Sequence, residues 1–269
     1  MEIGGSADDG SLPTPPIIRT KRAAAMISLL ESQEEIKSAR AMLRSEGLDF
    51  AQHGRLRLWD ILYRVRYRVP MPKPDPIKSW DVMNTLQIVE REIPDRPAGI
   101  LDMGCYNSEI LYALHTRGYR NLHGCDLNPM CRRMAFWHAV RYRQADITST
   151  LYPDAKFAAV TCLSVIEHGV PIDALLKELK RLLQPDGIFI FTTDYDATGG
   201  GEAAVTELHP FGLEWQIYTR QTLLDLLGRF EQAGFTLLDR NGRLPTHHQR
   251  PITWNGKEYT FALAALRAP

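Results

Sequence analysis

The chain has 269 residues and balances 32 basic against 32 acidic side chains, so its formal charge is zero. That balance argues against a protein that coats nucleic acid through a global excess of Lys and Arg, while 44% hydrophobic residues supply the core of one large domain or two small ones. The four cysteines, Cys105, Cys125, Cys131 and Cys162, lack the paired spacing of a zinc site and read as reduced thiols, so no metal is expected. The first residues carry acid rather than base, and no apolar run approaches the ~20 residues that span a bilayer, which leads us to expect a cytoplasmic protein that engages neither nucleic acid nor membrane.

In chain order, residues 1–18 are rich in Gly, Ser, Asp and Pro and read as a disordered tail. Residues 22–48 space Ala25, Leu29, Ile36 and Leu43 at helical intervals, with Gly47 as a C-terminal stop. LRLWDILYRVRYRV follows, threading Arg55, Arg57, Arg64, Arg66 and Arg68 through aromatics as an amphipathic segment. PMPKPDPIK, with four prolines, marks a linker, so residues 19–79 are expected to form an N-terminal helical cap and residues 80–269 the main domain. After a helix over 80–93, strands and helices alternate: AGILDMG, NSEILYALHTRG, NLHGCDL, PMCRRMAFWH, VRYRQAD, FAAVTCLSV, PIDALLKELKRLL, GIFIFTTD, TRQTLLDLLGRFEQAG, FTLLDR and EYTFALAALRA. This alternation predicts an α/β fold: a Rossmann-like, doubly wound, mostly parallel sheet of seven strands with helices on both faces, plus the N-terminal helical extension.

In such a sheet the ligand lies outside the carboxyl ends of the strands, where strand order reverses. Nearly every strand here ends at a carboxylate: Asp102, Asp126, Asp146, Glu167 and Asp194. One Asp at a strand end is an ordinary turn former or helix cap, but a series of them is harder to assign to capping alone. Asp126 lies 22 positions after Gly104, close to the ~20 at which a carboxylate meets a ribose. The dinucleotide fingerprint G-x-G-x-x-G is absent, since Gly104 is followed by Cys105, Tyr106, Asn107, Ser108 and Glu109, and Glu109 would oppose an anion at the next helix N-terminus. No P-loop occurs either.

The motifs ILDMGC, GCDLNP, QADIT, CLSVIEH and LLQPDGIFIFTT, in this order over roughly residues 98–196, resemble those of class I S-adenosylmethionine-dependent methyltransferases, particularly the type 11 small-molecule group. The resemblance implies S-adenosyl-L-methionine as cofactor. Carried over by position, Asp102 and Gly104, with Cys105 and Tyr106 of the same loop, would hold its methionine end. Asp126 would take the ribose hydroxyls and Asp146 the adenine amine, Leu127 and Ile147 would flank the adenine, and Leu163 and Ser164 would form the floor near the methionine. A cofactor bearing a sulfonium and an ammonium but no phosphate suits a carboxylate-rich cleft. The sequence departs from the family at its glycine loop, usually G-x-G-x-G, where Tyr106 and Ser108 stand here; that departure bears on cofactor affinity more than on fold.

The expected reaction is methyl transfer to O or N of a small-molecule or saccharide-like metabolite. His168, beside Glu167, is the candidate base, with pocket shaping as its alternative role. Asp194, Tyr195 and His209 follow the fifth strand, where acceptor contacts fall in the resembled family, and Asp194 joins His168 as a candidate catalytic residue. The irregular stretch TGGGEAAVTELHPFGLEWQIYT reads as a substrate loop or a simple linker, and the pair His247 and His248 has no second ligand pair for a metal. Two other functions stay open: a same-fold enzyme catalysing a rearrangement or cyclisation, and a non-catalytic binding protein. A small molecule is the expected partner, with a homodimer left open.

Overall fold

The structure, a computed structural model, describes residues 27–50, 56–68, 73, 75–106, 108–133, 139–198, 204–205, 209, 212–239, 244–245 and 248–269. The expected tail, Ala25, Arg55, Asn107, Gly199, Gly200, Gly201 and His247 lie outside the described residues, as does much of the expected substrate loop.

The parallel part of the sheet is built from β2 (Gly99–Met103), β3 (Asn121–Asp126), β4 (Arg141–Gln144), β5 (Phe157–Leu163) and β6 (Leu183–Tyr195). β2 pairs on one side with β3, which pairs with β4, and on the other with β5, which pairs with β6, all in parallel. The chain therefore winds outward from β2 in one direction and then restarts at β5 in the other, which puts the switch point between β2 and β5. β2 is buried along its whole length and β5 nearly so, the pattern of strands covered on both faces.

Alternation along these strands feeds two cores. Ile100, Ala159, Ile188 and Ile190 face α3 (Ser79–Glu92) and α4 (Ile110–Thr116), while Leu101, Val160, Phe189 and Phe191 face α5 (Ile172–Leu182) and α6 (Arg220–Gln232). Phe230 of α6 stacks on both Phe189 and Phe191, with ring centroids at 5.5 and 5.8 Å. Thr219 caps α6 through a reciprocal hydroxyl box with Thr222.

The sheet has nine strands rather than the expected seven. The reason is the length of β11 (Lys257–Arg267), which runs antiparallel to β6 and leaves a long outer edge. Three short strands share that edge: β9 (Thr236–Leu237) against Leu266 and Arg267, β1 (Ile27–Leu29) against Ala262 to Ala264, and β10 (Ile252–Trp254) against Lys257 to Tyr259. Covering it removes an unpaired ladder that would otherwise invite association. A separate ribbon pairs β7 (Ala204–Val205) with β8 (Gln216–Ile217).

The region expected as one helix over 22–48 thus opens as β1 and becomes helical only at α1 (Gln33–Ser45). Ser32 sets that start, its hydroxyl accepting from the Glu35 N–H, and Gly47, at φ +69° just past the cap residue Glu46, ends it. The arginine-rich segment forms α2 (Leu56–Tyr67), where Ile61, Leu62 and Val65 are exposed and Tyr63 is buried. The expected helix PMCRRMAFWH is a 3-10 turn over Pro129–Arg133 within the described residues.

α1 is fastened to the main domain by one buried cation. Arg40 donates to the Ser79 hydroxyl at 2.8 Å and pairs with Asp49 at 3.3 Å and Glu109 at 2.9 Å. Glu109 also accepts from the Phe50 N–H at 2.8 Å, so the carboxylate at the start of α4 is bound by the N-terminal extension. Removing one partner from a buried pair of this kind typically costs ~3–5 kcal/mol.

Candidate active site

At the carboxyl end of β2 the chain turns sharply under Gly104, at φ +74°, and the Gly104 and Cys105 N–H groups both donate to the Cys125 carbonyl, at 2.8 and 3.1 Å. A Cβ at Gly104 would lie 2.3 Å from a Val165 methyl, so this turn and the loop after β5 approach as closely as glycine allows. Gly124, in the adjacent strand β3, permits a similar approach: a Cβ there would meet the Cys105 sulfur at 2.8 Å and the Tyr142 ring at 2.9 Å.

The carboxylates expected from the sequence sit around this turn. Asp102 is buried; one of its oxygens accepts from the Thr161 hydroxyl at 2.6 Å, and Oδ2 has no hydrogen-bond partner among the described residues. Burial pushes its carboxyl up to about 7, with Thr161 and Ser108 pulling it back and the charge of Asp126 adding to the rise. Asp126 is held by two backbone donors, Tyr106 N–H at 2.9 Å and Asn128 N–H at 2.7 Å, which fix its plane while each oxygen keeps a lone pair for a hydroxyl. Asp146 is exposed and binds the N–H and hydroxyl of Thr148 at 2.8 and 2.7 Å, next to Ala145, whose N–H donates to the Asp126 carbonyl. Ile147 is buried while Leu127 is 55% exposed, which leaves an apolar surface beside Asp146. Cys105 is fully buried, and Leu163 and Tyr106 pack against the core on the α3 side. Tyr63 of α2 lies beside Tyr106; burial, with the neighbouring phenols of Tyr106 and Tyr67, pushes the Tyr63 hydroxyl up to about 12.

These residues fit S-adenosylmethionine. A buried carboxylate oxygen without a partner offers a counter-charge to an ammonium, a backbone-held carboxylate suits a diol, and a turn closed against Val165 leaves room only for a backbone-lined cradle.

Across the switch point, at the ends of β5 and β6, stands a second and denser polar cluster. Ser164, itself at φ +53°, places its hydroxyl between three groups: the Lys78 ammonium donates to it at 2.6 Å, Asp81 lies at 3.3 Å and the Thr192 hydroxyl at 3.4 Å. Thr192 also donates to Asp81 at 3.1 Å. Asp194 accepts from the Trp215 indole N–H at 2.8 Å with the Tyr259 hydroxyl beside it, and Glu167 accepts from the Thr193 hydroxyl at 3.3 Å. Burial pushes all three carboxyls toward their neutral form. Asp81 rises to about 6, Asp194 rises, and Glu167 rises well above the usual range, with the charge of Asp194 adding to it and Lys78 opposing it. His168 is half-buried with Nδ1 3.3 Å from the Glu214 carbonyl, and burial lowers its imidazole. Ser164 therefore belongs by its hydrogen bonds to this second cluster, while its neighbour Val165 touches the cofactor turn.

Two members of the second cluster, Lys78 and Asp81, escaped the sequence reading, which left the first in a proline linker and the second inside a helix. Asp81 did carry a signal. It shares a helical face with Thr85, Ile88 and Val89, and every one of these is buried, so a charged residue stands on the core side of α3. Tyr195 is buried, and its ring lies 5.2 Å from His248; His209 is exposed, and neither joins the cluster through a described hydrogen bond. Among the described residues no group of three or more His, Cys, Asp or Glu could hold a metal ion, and no helix is long and apolar enough to cross a membrane.

Known proteins share this domain and its fold. The methyltransferase domain family matches residues 83–240. A ubiquinone biosynthesis O-methyltransferase of Alkalilimnicola ehrlichii is 30% identical over 144 residues, 48% of this chain and 58% of that protein, and one of Methylobacterium nodulans is 26% identical over 165 residues, 56% of this chain and 65% of that protein. The match thus spans less than two thirds of the length of these curated relatives. Among solved structures, the PH0226 protein from Pyrococcus horikoshii covers 78% of this chain and 99% of its own at 16% identity and a TM-score of 0.51. The geranyl diphosphate C-methyltransferase of Streptomyces coelicolor, solved with S-adenosyl-L-homocysteine, covers 84% and 87% at 14% identity and a TM-score of 0.51. At these identities the two structures speak for the fold alone, and the family match, which takes in more than half of the chain together with the turn at Gly104 and the carboxylates at Asp102, Asp126 and Asp146, carries the assignment. The chain belongs to the methyltransferase domain family, as a class I methyltransferase whose cofactor is S-adenosylmethionine.

Proposed function

We propose that this protein transfers the cofactor's methyl group to an oxygen of a small-molecule acceptor, with Asp102 and Gly104 at the methionine end, Asp126 at the ribose and Asp146 at the adenine. The observation that carries the reading is the division of the cleft at the switch point: a glycine-lined turn with a partnerless buried carboxylate oxygen on the β2 side, and a buried acid cluster on the β5 and β6 side, joined through Ser164 and Val165. The O-methyltransferase names of the relatives support oxygen over nitrogen.

The cofactor supplies an electrophilic methyl on a sulfonium, and the chain's task is to hold the acceptor in line and take its proton. Asp194 suits the second role. Burial raises its carboxyl, which makes the ionised form a stronger base, and the Trp215 indole fixes its orientation at 2.8 Å. His168, kept largely unprotonated by burial and turned toward the Glu214 carbonyl, forms the wall beside it.

Calorimetry with S-adenosylmethionine and S-adenosylhomocysteine, followed by mass spectrometry of an acceptor panel, tests the reading. Binding of both cofactors and products heavier by one methyl group are expected. An acceptor consumed without gaining a methyl would replace methyl transfer by a rearrangement, and absence of cofactor binding would reduce the chain to a scaffold.

A further inference from the structure

We infer that Lys78 is the acceptor-binding residue of this enzyme and that it selects a hydroxyl acidic enough to ionise beside an ammonium. The inference rests on the methyl-transfer reading above and names the acceptor class for it.

The geometry places Lys78 where the acceptor must lie. Its ammonium is 2.6 Å from the Ser164 hydroxyl, and the next residue, Val165, closes against the Gly104 turn that cradles the methionine end of the cofactor. Its side chain is 32% exposed, so a ligand can reach it, whereas Asp81 beside it is fully buried. Of its three N–H donors one is given to Ser164; otherwise the ammonium has Asp81 at 3.9 Å and the face of Phe261 at 3.7 Å. A proline-rich segment leads into it, with Asp75 capping the turn over Pro76–Lys78 through the Ile77 N–H at 3.0 Å, so the backbone that carries the lysine is stiff.

The charged and titratable groups around the ammonium decide the sign of its ligand. Asp81 from α3, Glu167 and His168 from the loop after β5, and Asp194 from β6 all face it. Three ionised carboxylates would over-neutralise one lysine and favour a cationic ligand. Burial pushes Glu167 toward its protonated form and keeps His168 largely unprotonated, and Asp194 becomes neutral when it takes the acceptor's proton, which leaves Asp81 as the main counter-charge, 3.9 Å away and shared with two hydroxyls. The ammonium thus keeps attraction for one more oxygen. An acceptor hydroxyl bound there gives its proton to Asp194 more readily, and the oxygen keeps the electron pair it needs as a nucleophile.

The probe is 4-nitrophenol, whose phenol and phenolate absorb at different wavelengths, titrated against the complex with S-adenosylhomocysteine. 4-Nitroaniline, of the same shape but with an amine in place of the acidic hydroxyl, serves as comparator, and benzoate as a carboxylate competitor. The wild-type complex is expected to bind 4-nitrophenol as phenolate with a lowered apparent pKa and to prefer it to both comparators. Lys78→Met should weaken this binding about tenfold or more and return the bound probe's pKa toward its solution value, while Lys78→Arg restores most of both. Thermal melting and S-adenosylhomocysteine calorimetry report whether each variant is folded. Equal binding of the phenol by wild type and a folded Lys78→Met, equal preference for the aniline, or tighter Lys78-dependent binding of benzoate would each overturn the assignment while leaving methyl transfer intact. Failure of the wild type to bind S-adenosylhomocysteine would overturn both.

Discussion

The two halves of the cleft lie side by side on one sheet and are built in opposite ways. On the side proposed for the cofactor, Asp126 is held by backbone N–H groups, Asp102 by one hydroxyl, and shape is set by Gly104 and Gly124 pressed against their neighbours. On the side proposed for the acceptor, side chains hold side chains: Lys78, Asp81, Ser164 and Thr192 bond to one another, and Asp194 to Trp215, with little help from backbone. Backbone-built sites are fixed by the fold and recur wherever the fold does. A site made of side chains can change its ligand through one or two substitutions while the sheet stays as it is, which is the division expected where one cofactor serves many acceptors.

Substitutions that hit one half and spare the other test that division. The largest effect is expected from Asp194→Asn, which keeps an acceptor for the Trp215 indole but removes the proposed base. Turnover should fall by roughly 10²- to 10⁴-fold with cofactor affinity unchanged, as read by steady-state kinetics beside calorimetry. Loss of cofactor binding in this variant would mean that the two halves are not separable.

Asp102→Asn comes next and is read as stability. The Asp102 carboxyl rises from its ordinary 3.8 to about 7 on folding, so between these values the folded chain holds a proton that the unfolded chain has lost. The stability this gives is present below pH ~4 and disappears as pH rises through ~7, a span on the order of 4 kcal/mol. The asparagine variant, still able to accept from Thr161, should lose that share of the pH dependence. Urea midpoints of the ligand-free protein near pH 5 and pH 8 show whether the two profiles differ, and parallel profiles would refute the assignment.

The same contrast explains what could be read from the sequence. Asp102, Gly104, Asp126 and Asp146 stand at or just past the carboxyl ends of strands, at spacings that the strand, turn and helix repeat imposes, so periodicity leads to them. Lys78 and Asp81 reach the cleft from the start of α3, 86 and 83 positions from their partner Ser164, and no local pattern links them. The two extra strands escaped for a related reason: β1 and β10 are three residues each, too short to show alternation, and exist because the outer edge of β11 needs partners. Tyr106 in place of the usual glycine is accommodated because only its N–H is used, toward Asp126, while its ring packs on the core near Tyr63.

Asp126→Ala is the cofactor-side counterpart of the change at Asp194. Removing a carboxylate that would accept from two ribose hydroxyls should weaken cofactor binding by ~1.5–3 kcal/mol, about ten- to a hundredfold in Kd by calorimetry, with the selectivity among acceptors unchanged. Unchanged affinity would move the ribose away from the end of β3.

The smallest effect belongs to the seam. Ser164 is a non-glycine residue at φ +53°, a conformation that costs an L-residue about 1 kcal/mol or more, and its hydroxyl joins Lys78 to Asp81. Ser164→Ala loses the hydroxyl and keeps the backbone strain; Ser164→Gly loses the same hydroxyl and relieves it. Both should weaken acceptor binding to the same degree, because both leave the lysine without its anchor. Their stabilities should differ by about 1 kcal/mol in favour of glycine, since the freer unfolded chain offsets some of the relief. Equal acceptor affinity with unequal melting temperatures would place the function of Ser164 in its hydroxyl and the strain in the loop geometry. If the glycine variant instead recovered acceptor binding, the backbone of this turn, and not the Lys78 anchor, would be what positions the acceptor.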